Sequence, residues 1–189
     1  MEKRGCLYFC LFIVLVSAIY VNCEYHTESS HHDHTKEKVT NLHFYLNDIL
    51  SGKNPTAVMV AHPYNTNPDK SNPTPFGSVF AIDDKLTDGL ERNSKVIGNA
   101  QGLYVSSARD LLSLVMYVDF AFTSGKFNGS SISVFSRNPV MDGDGRELAV
   151  VGGRGKFRMA KGFAELTTRY LNVTNGDAVI EYNVTVYHY

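Results

Sequence analysis

From Leu42 to Tyr189 the sequence is a succession of short runs rich in Val, Ile, Tyr, Phe and Thr, each broken off by Gly, Pro, Asn or Asp. The runs are LHFYLNDIL, TAVMVAH, FGSVFAIDD, SKVIGNAQGLYV, LLSLVMYVDFAFT, SSISVFSR, ELAVVGG, GFAELTTRYLNV and AVIEYNVTVYHY. Eight or nine strands so closely spaced predict a single all-β domain, an antiparallel barrel or sandwich. The last run sets Ile180, Tyr182, Val184 and Val186 on one face and Glu181, Asn183 and Thr185 on the other, which predicts one packed and one polar side. Gly98 and Gly102 fall inside a run, where a missing side chain allows the tight coiling a small barrel needs. Only SSARDLLS, residues 106–113, reads as helix, and it is too short to alter the class. AHPYNTNPDKSNPTPFG, residues 61–77, holds four prolines in thirteen positions and reads as a long loop placed to flank a cavity mouth.

Ahead of this domain, Glu2, Lys3 and Arg4 precede an apolar run from Cys6 to Val21, with small residues near Ala18 and Cys23. This is the pattern of a secretory signal over residues 1–23, and it predicts export with no membrane attachment once the signal is cut. Cys6, Cys10 and Cys23 all belong to that segment, so the exported domain has no internal disulfide and depends on its core. Residues 24–40 are polar, without apolar periodicity, and read as a flexible arm. The arm holds His26, His31, His32 and His34 but no rigid scaffold, so it reads as a solvated tail and not as a metal site. Sequons at Asn128, Asn172 and Asn183 fit glycosylation in the secretory route. A net charge of −1 excludes global affinity for nucleic acid.

Enzyme signatures are absent: the sequence has no Gly-x-Ser-x-Gly elbow, Walker loop or His-Glu-x-x-His. GGRGKF, residues 152–157, lacks the ending of a phosphate loop and reads as a tight glycine turn. What stands out is polar groups on apolar strands: Asp48, Tyr104, Asp119, Arg137 and Arg146. Asp48 shares a face with Leu42, Phe44, Leu46 and Leu50, where a carboxylate is costly unless paired or neutralised. Either that face lines a polar cavity or Asp48 caps the turn at SGKN. Tyr104 has core packing as its alternative, Asp119 a wall arginine as partner, and Arg146 a place at the end of the DGDG loop.

Taken together, LHFYLNDILSGKNPTAV, IDDKLTDG, SKVIGNAQGLYVSS, FNGSSISVFSRNPV, RELAVVGGRGKFRMAKGFAELTT and GDAVIEYNVTVYHY resemble the plant dirigent family, over residues 40–189. The resemblance implies an eight-stranded antiparallel β-barrel, usually a homotrimer, secreted to the apoplast, with a cavity for small phenolics and no cofactor. It implies one of two activities passing through a quinone methide. One is dehydration and ring closure of an isoflavanol, as in pterocarpan synthases. The other is stereoselective guidance of phenoxy radicals made by an external laccase or peroxidase. It assigns Asp48 as general acid in the lumen, Arg146 to a phenolic oxygen and Tyr104 to orientation or proton relay. Asp119 and Asn138 would contact substrate. Lignan-forming members carry an aspartate where this chain has Asn138, and a disulfide this chain lacks, which favours the ring-closing activity. Asn47 stands where a histidine is common.

Overall fold

The computed structural model describes residues 36–64, 72–91, 93–143 and 145–189. The segment read as a signal, the four arm histidines and all three cysteines lie outside the described residues. Nine strands follow one another: β1 (Lys38–Asp48), β2 (Ala57–Ala61), β3 (Val79–Thr87), β4 (Val96–Ser106), β5 (Leu114–Phe122), β6 (Ser131–Asn138), β7 (Arg146–Arg154), β8 (Lys161–Leu171) and β9 (Ala178–His188). Strand structure therefore starts at Lys38, inside the stretch read as arm.

The sheet runs in the order β1-β9-β8-β7-β6-β5-β4-β3-β2, and β1 also pairs with β3. That second pairing closes an antiparallel barrel of eight strands, with β2 added as a short strand on β3. The seam is shared. β1 covers the lower part of β3 through Tyr45–Thr87, Leu46–Leu86 and Asn47–Lys85, while β2 covers the upper part through Ala57–Ile82 and its neighbours.

Alternation fills the interior. Phe44, Phe80, Phe120, Ile132, Val134, Leu148, Leu166, Tyr182, Val184 and Val186 point inward and are buried. On β9 the expected apolar face holds, but the polar face is not simply solvated. Glu181 is only 8% exposed. Its carboxylate accepts hydrogen bonds from His43 Nε2 at 2.7 Å, the Tyr45 hydroxyl at 3.1 Å, and Arg169 Nε at 2.7 Å and Nη2. This clamp ties β1, β9 and β8 together from outside.

One end of the barrel is sealed. Phe122, Phe127 and Phe157 pack there, the last two with ring centroids 4.8 Å apart. Of GGRGKF, Gly152 to Arg154 end β7 and only Gly155–Phe157 form a 3-10 turn. The expected helix at 106–113 does not form. Residues 107–113 are a looped connection between adjacent strands, held at its neck by Ser107 N–H and Oγ donating to the Ser113 carbonyl. Two strands lying side by side need their ends close together, and so few residues give little return for nucleating a helix.

The strand glycines expected to allow coiling lie where a neighbouring backbone approaches closely. A Cβ on Gly98 would lie 2.0 Å from the Ala121 carbonyl oxygen, and one on Gly102 2.1 Å from that of Tyr117. At both points β5 backbone occupies the place of a side chain. Gly102→Ala should therefore lower stability by about 3 kcal/mol, because backbone has to move. Thermal or urea unfolding measures this, and a loss below about 0.5 kcal/mol would refute the close-approach account.

Candidate active site

The end opposite the phenylalanine seal is open. A narrow chamber of about 70 Å³ lies inside the barrel there, walled by Leu46, Ile82, Leu114, Met116, Ile180 and Tyr182. It continues into a wider mouth of about 210 Å³ formed by Thr74, Phe76, Arg109, Leu111, Met141 and Val173. Thr74, Leu112, Leu171 and Gly176 belong to both. The proline-rich segment thus reaches the cavity mouth, through Asn72, Pro73, Thr74 and Phe76.

Polar groups enter this apolar chamber at few points, among them Asp48, Asp84, Tyr104, Asn138 and Thr168. Asp48 sits at the last position of β1. It does not cap the following turn, because Asp177 takes that role: its carboxylate accepts from Leu50 N–H, Ser51 N–H and the Ser51 hydroxyl at 2.9, 2.9 and 2.6 Å. Asp48 Oδ1 is buried without a hydrogen-bond partner. Burial pushes its pKa well above the carboxylate range, making it a weaker acid. The Tyr104 hydroxyl opposes that shift by hydrogen bonding, and the Asp177 charge adds to it.

Asp84 is the residue the sequence reading missed. It is 1% exposed, accepts from the Thr56 hydroxyl at 2.5 Å, and has its second oxygen buried without a partner. Burial raises its pKa and makes it a weaker acid, and the charge of Asp48 raises the pKa further. The proximity follows from the seam: pairing ends at Asn47 with Lys85, and one further step brings Asp48 opposite Asp84. Two like charges facing each other across strands repel, so the low-energy state of the pair holds a proton. The signal was present in sequence, since Phe80, Ile82, Asp84 and Leu86 alternate just as Phe44, Leu46 and Asp48 do.

Tyr104 is 3% exposed and stacks on Phe80 with centroids 4.9 Å apart. Desolvation, with the charges of Asp48 and Asp84 behind it, holds its hydroxyl firmly protonated. Arg146 is buried on the inward face of β7, in phase with Leu148, and does not itself line the chamber. Its Nη1 donates to Asn138 Oδ1 at 3.1 Å and its Nη2 to Thr168 Oγ1 at 2.5 Å, and those two partners face the cavity. Its charge reaches the chamber through them and acts on buried Tyr182. Asn138 also donates to Met116 Sδ at 3.5 Å, so the position expected to touch substrate does line the chamber.

Asp119 does not. Val118 and Phe120 point inward, which turns Asp119 outward. There it accepts from the Ser131 and Ser133 hydroxyls at 3.0 Å each and pairs with Arg154 at 3.3 Å. Its expected contact with substrate is therefore corrected to an outer-wall ion pair. Arg137 is likewise exposed.

The profile described as Dirigent-like protein matches residues 39–187. The chain belongs to the dirigent family. Dirigent protein 15 of Arabidopsis thaliana is 59% identical over 157 residues, 82% of each chain. Pterocarpan synthase 1 of Glycyrrhiza echinata is 45% identical over 154 residues, covering 82% of this chain and 80% of the relative. Among solved structures, the pterocarpan synthase dirigent protein GePTS1 superposes with a TM-score of 0.76 at 42% identity, covering 84% of this chain and 89% of that one.

The buried pair has a consequence for stability. Asp48 is pushed up to about 7 and Asp84 up to about 9, while the unfolded chain releases both protons near the ordinary Asp value. Between those limits the folded state holds more protons on this pair than the unfolded one, so the pair's own contribution to stability is greatest at low pH and falls as pH rises from about 4 to about 9. Asp84→Asn removes the most costly ionisation. Its melting temperature should exceed that of the parent at pH 8 and differ less at pH 5, whereas identical pH profiles would contradict the buried pair.

Proposed function

We propose that this dirigent protein is an acid–base catalyst that dehydrates and ring-closes a single phenolic molecule, an isoflavanol, in the manner of a pterocarpan synthase. The observation that supports this most is the facing pair Asp48 and Asp84, each with a buried unpartnered oxygen, lining a narrow apolar chamber. The substrate carries a benzylic hydroxyl para to a ring phenol, and a second phenol within reach. The protonated carboxyl of the pair donates to the benzylic hydroxyl, which leaves as water. The para phenol releases its proton, giving a neutral quinone methide. The second phenol attacks the benzylic carbon, its proton returns to the carboxylate pair, and the first phenol regains one, so that the net change is loss of one water.

Within this scheme Tyr104 steers the proton by its hydrogen bond to Asp48. Asn138 and Thr168, held by Arg146, accept or orient the phenolic oxygens, and the positive charge behind them favours oxygen as it becomes anionic. Apolar walls exclude bulk water, which would otherwise trap the quinone methide, and hold one face towards the nucleophile. A general acid of this kind contributes on the order of 10²- to 10⁴-fold. Asp48→Asn should therefore lower kcat by about that factor, with Asp84→Asn also impaired and kcat of the parent falling as pH rises past neutrality.

Identity of 59% to a relative named only as a dirigent protein supports a second reading, in which the chamber orients phenoxy radicals and an external laccase or peroxidase performs the oxidation. Isoflavanol supplied without oxidase separates the two. Dehydrated product formed faster than in buffer is expected; no acceleration, together with chiral dimer from coniferyl alcohol plus laccase, would overturn the catalytic reading.

An extracellular placement is proposed with it, from the leader read at residues 1–23 and the three sequons. Asn128 and Asn183 are exposed, while Asn172 is partly covered and accepts the Thr174 N–H at 3.0 Å. A homotrimer is proposed through an outward apolar row in which Leu103 pairs with Tyr117 and Tyr117 with Phe135, these being 43%, 44% and 56% exposed. Phe135→Glu should shift the light-scattering mass towards that of one chain; an unchanged mass would place the interface elsewhere.

A further inference from the structure

The sealed end of the barrel bears a charge that the chamber does not use. The β5–β6 turn, residues 123–130, and the β7–β8 turn, residues 155–160 taken with the flanking strand ends Arg154 and Lys161, are built alike. Each has a Gly-Lys-Phe 3-10 turn that begins on a glycine with positive φ, at Gly125–Phe127 and Gly155–Phe157. Lys156 Nζ donates to the Lys126 carbonyl at 2.7 Å, and Phe127 and Phe157 pack together, so the turns lie side by side. The two segments contain five of the chain's 18 Lys and Arg and none of its 19 Asp and Glu. Two of the five are neutralised, Arg154 by Asp119 and Lys161 by Glu37. Lys126, Lys156 and Arg158 are exposed and make no ion pair among the described residues. The β3–β4 turn at the same end carries two acidic residues, exposed Glu91 and Asp88, whose carboxylate accepts the Lys95 N–H.

We propose that this end is a docking surface for a linear acidic polysaccharide of the uronate class, whose successive carboxylates meet Lys126, Lys156 and Arg158. Long-stemmed cations on two adjacent turns suit a flexible polymer of separated charges. The surface suits other polyanions less well. Seating on a lipid surface draws on apolar side chains, and at these turns Met159, 76% exposed, is the prominent one. Single-stranded nucleic acid draws on open aromatic faces, yet Phe157 is fully buried and Lys126 lies over the Phe127 ring at 5.2 Å. The choice of an extracellular polymer rests on the placement proposed above, although binding in vitro is independent of it.

The test uses the full secreted chain with N-glycans enzymatically removed, because Asn128 stands on the first of these turns. Binding to immobilised polygalacturonate is measured against neutral dextran, phosphatidylserine vesicles and a single-stranded oligonucleotide. Polygalacturonate should retain the protein and release it in about 0.3 M salt, as expected for screened surface charges. The combined variant Lys126→Gln, Lys156→Gln and Arg158→Gln should bind at least about tenfold more weakly with an unchanged melting temperature. Undiminished binding by that variant, tighter binding to vesicles or oligonucleotide, or no preference over dextran would each overturn the proposal. A tagged chain found inside the cell would refute the extracellular placement alone.

Discussion

The register at which β1 meets β3 is the constraint from which the site follows. A sheet of this size becomes a barrel only if its two margins pair, and here they pair at three positions, with Asn47–Lys85 the last. That offset leaves Asp48 and Asp84 facing each other at the top of the seam, where the interior is apolar and water is scarce. Closure and acidity are thus set together. A seam slipped by one residue would turn either aspartate to the outside and leave its partner an ordinary buried carboxylic acid. Asp177 supports the arrangement by occupying the donors of the β1–β2 turn, which frees Asp48 from a capping role.

Much of the fold was legible because alternation is a local property. Each of the nine runs became a strand, and Gly98 and Gly102 announced close approach of backbones. The helix read at 106–113 failed for a nonlocal reason: the two strands it joins are neighbours, and the loop must return within a few residues. Glu181 was placed on the correct face, but its burial depends on His43 and Arg169, which arrive from other strands.

The site was legible only in part. Asp48 betrayed itself by interrupting an apolar face, and Asp84 interrupts one in the same way within IDDKLT. What the sequence could not reveal is that the two interruptions coincide in space, because their pairing joins strands 36 positions apart that are not consecutive. Asp119 misled because alternation has two phases, and the inward phase of β5 belongs to Val118 and Phe120. Arg146 was found by resemblance, yet its link to the chamber through Asn138 and Thr168 depends on side-chain hydrogen bonds across three strands.

The phenylalanine plug at one end makes the chamber a cul-de-sac. Whatever enters past Phe76 and Leu112 must turn or back out the same way. A flexible guest that became a rigid fused ring inside would find the doorway narrower on leaving than on entering, so departure of the finished molecule would govern how soon the next could take its place.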